Sequence, residues 1–432
     1  MANTYLTRTI GTTGNRKTFI YSTWIKRGNI GSYKPFMGDV TDAGNDYFTV
    51  SFQSADHLNI YSQLAGPEVI NISTNRLFRD TFAWYHIVIA TDTTQATASD
   101  RVKIYINGVQ ETSFSVATYP NQNTDLAINI SGETQVVGAG HTLSSATFDG
   151  SMSHAHFIDG TAYDATAFGE FDANGVWKIN TSPSVTYGTN GFFILKNGNS
   201  VTDQSGNGNN FTVGGGTLTN TEDSPSNVFA TWNPLVPLGT FSNGNTIWDS
   251  VASGDGCAFS TLAVSSGKYY AEVKCTGSTT SGFFAGVAPA QRLDGVSAGG
   301  SSSTIGGVEY GDSKILSNGS EVVASLPAIS QNDIIGIALD MDAGANGEVK
   351  FFKNGTAING GTAVALPSSN SYCFTTSDFN GGSATEASAN FGNGYFGTTA
   401  VSSAGTNASG NGIFEYDVPT GFTALSTKGL NL

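Results

Sequence analysis

The chain has 432 residues, of which 54 are Gly, 39% are hydrophobic and only 12% are charged, about half the charged share of an ordinary globular protein. Its 27 Phe, 16 Tyr and 5 Trp exclude a disordered chain, and no run reaches the ~18 apolar residues of a membrane span. With 19 Lys plus Arg against 34 Asp plus Glu, the formal charge of −15 repels phosphate backbones and anionic headgroups, so neither nucleic acid nor membrane insertion is expected.

In chain order, short apolar or alternating blocks predict strands over 18–26, 47–53, 84–90, 102–106, 152–158 and 192–195, then over 268–274, 334–340 and 349–352. Asn107-Gly108 and Asn354-Gly355 supply the positive φ angles of tight hairpins. One helical turn is expected over 164–170, with Asp164 as its N-cap. Helical periodicity is otherwise nearly absent, which makes this an all-β chain, and its length suits two β-sandwich domains. Three of the 11 prolines, Pro225, Pro234 and Pro237, mark a composition shift between the halves. The reading is a first domain over 1–225, a stiff Pro-containing linker over 226–240 and a second domain over 241–432.

Cys257, Cys275 and Cys373 are odd in number and lack CxxC spacing, so free thiols are expected rather than a disulfide framework. The first residues lack the basic start and apolar stretch of a secretory leader, which points to folding in a cytoplasm.

Four segments of the first half carry a resemblance: Phe19-Ile20-Tyr21-Ser22-Thr23-Trp24-Ile25-Lys26-Arg27, Ala83-Trp84-Tyr85-His86-Ile87-Val88, Val102-Lys103-Ile104-Tyr105-Ile106-Asn107-Gly108 and Phe148-Asp149-Gly150-Ser151-Met152. Together they resemble a concanavalin A-like lectin/glucanase jelly roll of the laminin G-like kind. In the second half, Gly267-Lys268-Tyr269-Tyr270-Ala271-Glu272-Val273, Gly282-Phe283-Phe284-Ala285-Gly286-Val287, the run from Asp333 to Asp342, and Val349-Lys350-Phe351-Phe352-Lys353-Asn354-Gly355 resemble a SPRY domain, a β-sandwich binding module. The pair, joined through Gly175-Val176-Trp177-Lys178, Asp203-Gln204-Ser205-Gly206-Asn207-Gly208 and Asp223-Ser224-Pro225, is similar to structural proteins of marine tailed bacteriophages. That resemblance implies a virion protein of the tail or capsid surface, present in multiple copies. Its implied partners are other virion proteins and host cell-surface glycan.

The residues supply candidate sites. Tyr33, Phe36, Tyr61, Tyr119 and Tyr310 are candidate loop-tip aromatics that would stack on sugar rings. Asp203, Ser205 and Asn207 follow the alternating-oxygen start of a calcium loop, although the twelfth position is Gly214 and no bidentate Glu completes it. Calcium is therefore the one candidate cofactor, with Asp39 to Asp46 and Asp340-Met341-Asp342 as further acidic turns. His154 and His156, two apart on a strand, share a face and are a candidate metal pair, whereas His86 reads as core packing.

Laminarinase-type relatives resemble one another in an E-x-D-x-E strand, and the nearest match is Glu170-Phe171-Asp172-Ala173-Asn174, where Asn174 replaces the acid. No G-x-S-x-G and no paired Cys and His appear, so a non-enzyme is expected. The alternative is a laminarinase-like glycoside hydrolase using Glu170 and Asp172.

Overall fold

The computed structural model describes residues 4–42, 45–143, 146–196, 200–236, 238–250, 256–277, 282–290, 306–317, 320–367, 371–378 and 385–432. The chain divides into two compact units, Met1–Asn220 and Thr221–Leu432. Both are built from strands, and among the described residues the helices are single 3-10 turns such as Ala165–Ala167. Asp164 caps that turn by accepting the amide of Thr166, as its sequence position predicts, but the chain leaves the turn at Phe168.

The first unit contains β1 (Tyr5–Thr9), β2 (Thr18–Arg27), β3 (Lys34–Asp42), β4 (Asp46–Phe52), β5 (His57–Gln63), β6 (Glu68–Leu77), β7 (Trp84–Asp92) and β8 (Val102–Ile106). It continues with β9 (Val109–Glu111), β10 (Phe114–Thr118), β11 (Thr134–Val137), β12 (Gly150–Asp159), β13 (Gly169–Phe171), β14 (Trp177–Ile179), β15 (Phe192–Ile194) and β16 (Thr212–Gly215). These form an eight-stranded sheet in the order β10-β6-β5-β4-β3-β11-β1-β16, a six-stranded sheet in the order β15-β12-β2-β7-β8-β9, and the hairpin β13-β14. The Asn107-Gly108 turn joins β8 to β9 with φ of 49° and 79°, the left-handed pair that a type I′ hairpin requires.

The two large sheets enclose one apolar core. Phe19, Tyr21 and Ile25 of β2 meet Phe48, Val50 and Phe52 of β4, with Ile87 and Ile89 of β7 alongside. Rings set the geometry: Phe19 meets Phe48 edge-on at 5.6 Å, and Tyr21 lies 4.9 Å from Phe157.

The six-stranded sheet is covered on its other face as well. Trp24, His86, His154 and His156 are all buried there, beneath Phe168, Trp177, Tyr187 and Phe193. The Trp177 indole donates to His86 Nδ1 at 3.0 Å, so that nitrogen carries no proton and His86 Nε2 donates to Ser22 Oγ at 2.9 Å.

The second unit pairs a sheet ordered Thr240–Ser242, Ile247–Asp249, Glu386–Asn390, Lys268–Cys275, Ile334–Asp340, Glu348–Lys353 and Thr356–Ala357 with a sheet ordered Gly256–Phe259, Tyr372–Asp378, Phe283–Pro289, Gly307–Glu309, Lys314–Ser317 and Ser320–Val323. Trp232, Trp248, Phe283, Tyr310 and Phe374 fill the space between them. All three cysteines are buried as thiols, outside any disulfide.

The segment 226–240 is not a connector. Ala230 N donates to Leu425 O at 2.9 Å, Trp232 N to Asn245 O at 2.8 Å and Asn233 N to Phe259 O at 2.8 Å. Phe229, Trp232 and Val236 are buried in the second unit. The aromatic side chains of this segment hold it against the sandwich.

Candidate functional site

With the outer face of the six-stranded sheet covered, the outer face of the eight-stranded sheet is where side chains meet solvent over a broad area. Its register separates two kinds of row. One runs Val213, Leu6, Val137, Met37, Val50, Ile60, Ile72, Ala117 across all eight strands, and its six central members are buried in the core. The next row runs Thr212, Thr7, Val136, Gly38, Thr49, Tyr61, Asn71, Thr118 and faces outward.

On the β4-β5-β6 flank this outer face carries a ring ladder. His141 stacks on Tyr47 with centroids 3.7 Å apart and planes 10° apart, and Tyr47 lies 5.9 Å from Tyr61 at 25°. His141 Nδ1 is 2.9 Å from Thr49 Oγ1, which anchors the loop after β11 over the middle of the sheet. Tyr33 is 37% exposed and its phenol shares a hydrogen bond with Ser51. Burial, followed by the neighbouring phenols of Tyr61 and Tyr33, raises the Tyr47 hydroxyl above its ordinary value. Burial lowers His141, so near neutral pH the ladder consists of uncharged rings and hydroxyls.

Polar side chains beside the rings hold one another in place. Asn59 Nδ2 donates to Asn71 Oδ1 at 2.9 Å and to Ser73 Oγ at 2.8 Å, Gln53 Nε2 donates to Ser51 Oγ at 2.9 Å, and Gln63 Nε2 donates to Tyr61 OH at 3.1 Å. Tyr47 is itself buried under His141, so the partly exposed rings are those of Tyr33, Tyr61 and His141. Aromatic surface of this kind next to fixed amide and hydroxyl groups suits a neutral polyol, whose C–H faces stack and whose hydroxyls donate and accept.

Of the five aromatics expected to meet sugar, the structure brings Tyr33 and Tyr61 to this flank. Phe36 is fully buried between Phe52 at 5.3 Å and Phe148 at 6.2 Å, because a bulge in β3 turns both Phe36 and Met37 inward. Tyr310 is also fully buried, with its hydroxyl donating to Val273 O and Asp333 O at 3.2 Å each. Tyr119 is half-buried and packs on the core. Tyr47 and His141 escape sequence reasoning. Tyr47 shares the parity of Thr49 and Ser51 in a predicted strand, which marks it as outward, but only the loop at His141 makes it part of a ladder.

The calcium reading of Asp203, Ser205 and Asn207 is corrected. Asp203 Oδ1 accepts from Phe193 N at 2.8 Å and Ser205 N at 2.9 Å, while Oδ2 accepts from Ser205 Oγ at 2.7 Å and Asn209 N at 2.9 Å. All four lone-pair directions of the carboxylate are filled. Asn207 presents its Nδ2 inward to Gly188 O and Gly191 O, so the loop is closed by its own donors.

The other acidic turns behave similarly. Asp340 pairs with Lys268 at 2.8 Å and accepts from Asp342 N, and Asp342 accepts from Gly267 N. Asp39 is buried and bonded to Tyr21 OH at 2.5 Å, Asp46 accepts from Ala65 N, and residues 43 and 44 between them lie outside the described residues. Among the described residues no group of three or more His, Cys, Asp or Glu is arranged to hold a metal.

His154 and His156 both lie against Phe193, at 5.5 and 4.0 Å, but a bulge separates them and His154 takes a φ of 49°. His156 Nδ1 is bonded to Tyr187 OH at 3.0 Å and His154 Nδ1 to Ser153 Oγ at 2.7 Å. Glu170 and Asp172 sit at the exposed β13-β14 hairpin. Asp172 accepts from Asn174 N and Val176 N at 2.9 Å each and lies 3.6 Å from Lys178.

Residues 2–166 match the family described as the concanavalin A-like lectin/glucanases superfamily, of laminin G type. That match points to carbohydrate binding and embraces both enzymes and non-enzymes. Comparison with curated protein sequences returns no match. Among solved structures, the chain is similar to the SPRY domain of human HERC1, with 18% identity over 37% of this chain and 96% of that one and a TM-score of 0.32. It is also similar to a heptameric SAP-like pentraxin from Limulus polyphemus, with 15% identity over 36% and 70% and a TM-score of 0.26. A third is a human SPRY domain, with 17% identity over 33% and 91% and a TM-score of 0.26.

Proposed function

We propose that this protein is a non-enzymatic glycan-binding protein of a bacteriophage particle, serving in a tail-associated adhesin or capsid-surface position where it contacts host cell-surface glycan. The observation that carries glycan binding is the Tyr61-Tyr47-His141 ladder with its border of fixed amides and hydroxyls, beside which the Glu68 carboxylate accepts from Asn71 Nδ2 at 3.1 Å. The virion setting rests on the resemblance of the paired modules. Binding at one such face is weak, and several copies on one particle raise it through effective concentration.

The non-enzymatic part is supported by the placement of Glu170 and Asp172. Glu170 stands opposite Lys178 in the hairpin register, and the carboxylate of Asp172 is engaged in its own turn. A retaining glycosidase needs two carboxylates facing one sugar across about 5 to 5.5 Å of open space.

The test uses the full-length fluorescent protein on intact candidate host cells, with assay of released reducing sugar. Saturable binding without sugar release is expected, weakened about tenfold by Tyr61→Ala, on the order of 1.4 kcal/mol for one stacking ring. Because the Asp203 carboxylate is already filled, EDTA should leave binding unchanged. Sugar release that stops in Glu170→Gln, or binding indifferent to both Tyr61→Ala and Tyr47→Ala, would overturn the reading.

A further inference from the structure

The loop that carries His141 crosses the middle of the eight-stranded sheet, and the outward face continues on its far side. There a cavity of about 650 Å³ opens over β1 and β16, lined by Tyr5, Thr7, Thr9, Thr134, Leu143 and Thr212, with residues 208–210 as one wall. We infer that this cavity is a second saccharide site, specific for a neutral sugar, separate from the ring ladder. The inference rests on the glycan-binding reading of this sheet and adds a site to it.

Three observations carry it. The first is the floor. Tyr5 lies over Gly214 of the neighbouring strand so closely that a Cβ at 214 would come within 2.4 Å of the Tyr5 ring. The glycine leaves room for the half-buried Tyr5 ring to lie over the neighbouring strand, where it lines the cavity. A side chain at 214 would tilt it.

The second is the chemistry of the walls. Four threonines converge on the cavity, two of them, Thr7 and Thr212, directly opposite each other in register. Among the described residues that line it none is acidic, and the one cation, Arg8, is turned inward, with Nε donating to Gln135 Oε1 at 2.8 Å and Nη2 to Asn190 O at 2.7 Å. A cavity with hydroxyls, one ring and no available charge selects an uncharged polyol over a sulfated or acidic sugar.

The third is how the wall is held. The residues that spell a calcium loop fasten this wall instead. Asp203 Oδ2 accepts from Asn209 N at 2.9 Å, and Asn210 Oδ1 accepts from Asp203 N at 2.9 Å. Asn209 Nδ2 donates to Thr189 O and Gly191 O at 3.0 and 2.8 Å. The knot pins residues 208–210 to the end of the sandwich, so the wall is preformed before any ligand arrives. Tyr61 and Thr7 lie four strands apart along one row, about 19 Å at the usual spacing between strands, too far for one sugar ring to touch both.

The experiment is calorimetric titration of the full-length chain with neutral disaccharides too short to bridge the two sites, namely laminaribiose, cellobiose, maltose and mannobiose. It compares wild type, Tyr5→Ala, Gly214→Ala, Tyr61→Ala and the Tyr5→Ala/Tyr61→Ala pair, with thermal melting as the folding control. Two disaccharides per chain are expected for wild type, one for Tyr5→Ala or Tyr61→Ala, and none for the pair. Gly214→Ala keeps Tyr5 but displaces its ring, and should weaken the second site about tenfold.

One site per chain, abolished by Tyr61→Ala and indifferent to Tyr5→Ala and Gly214→Ala, would sink the second site and leave the ladder standing. Binding lost in Tyr5→Ala and Gly214→Ala but untouched by Tyr61→Ala would do the reverse. Absence of binding by any of these disaccharides to wild type would overturn both.

Discussion

Lowering the pH from 7 to 5 should weaken the first unit and strengthen the second. All five histidines lie in the first unit, and three of them are buried on the outer face of its six-stranded sheet. Burial holds His86 down at about 3 and His154 at about 4, and burial followed by the neighbouring histidines and Lys196 takes His156 well below its ordinary value. These rings are neutral when folded and bind protons when unfolded, so their contribution is present above pH 6.5 and lost as the pH falls toward the folded values.

Asp39, in the same unit, acts in the opposite direction. Its burial, with Glu133 beside it, pushes the carboxyl up from 3.8 to about 7, against the donors Tyr21 OH and Asn129 N. A raised carboxyl contributes most below its unfolded value and loses that contribution as the pH rises through the folded one. Three histidines outweigh one aspartate, leaving a net loss on the order of 3 kcal/mol for the first unit at pH 5.

The second unit has no histidine, and Glu272 is buried within it. Burial raises this carboxyl from 4.5 to about 7 even though it accepts from Glu415 N and Tyr416 N at 2.9 Å and from Asn390 Nδ2 at 3.2 Å. Its contribution is complete below about pH 4.5 and is lost as the pH rises through 7, a gain on the order of 2 kcal/mol on going from pH 7 to pH 5. Pulse proteolysis in urea at the two pH values, with fragments assigned to 4–220 or 221–432, reads each unit separately. Slopes of the same sign in both units would refute this assignment, and Glu272→Gln should flatten the second slope alone.

Trp232→Ala should destabilise the second unit by about 3–5 kcal/mol, as expected when a large aromatic side chain is removed from a core that cannot close over the cavity. Trp232 is fully buried, meets Phe391 edge-on at 5.0 Å, and is flanked by backbone bonds to Asn245 and Phe259. Among the described residues its indole N–H has no acceptor, so Trp232→Phe forfeits volume but no hydrogen bond and should cost only about 1–2 kcal/mol. Hydrogen exchange should show the loss of protection confined to residues 221–432. If Trp232→Ala matched wild type there, the segment 226–240 would be the linker that its prolines suggest.

Nine strands were legible in the sequence because the alternation that creates them is local, but of the eight-stranded sheet only β4 was among them. The predicted 102–106 and 334–340 coincide with Val102–Ile106 and Ile334–Asp340, and the other seven predicted strands agree within two residues at either end. Asn107-Gly108 and Asn354-Gly355 adopt their left-handed pairs for the same reason, since positive φ is a property of those two residues. The segment 226–240 misled because proline content reports stiffness, whereas the fate of the segment depended on whether a distant sheet offered Trp232 a cavity.

The candidate site was less legible. Parity within the predicted strand 47–53 marks Tyr47 as outward, whereas no predicted strand covers Tyr61, which lies on β5; a ladder needs β4 and β5 in one register and His141, 94 residues beyond Tyr47 in the chain, folded back over them. Phe36 and Tyr310 have the composition of loop-tip rings. A bulge and a tyrosine tether, neither visible in sequence, placed them in the core. Asp203-Gln204-Ser205-Gly206-Asn207-Gly208 spells a cation loop until Phe193 N and Asn209 N take its lone pairs.

What residue type and near neighbours settled is the all-β class, the positions of nine strands, the tight turns and the anionic, cysteine-poor character of the chain, because each of these is a local property. The closed fold decided which rings are exposed, which carboxylates are filled and where the outer face opens into a cavity. Those outcomes depend on burial and on hydrogen-bond partners tens to hundreds of residues away, which enter only when the sheets close on each other.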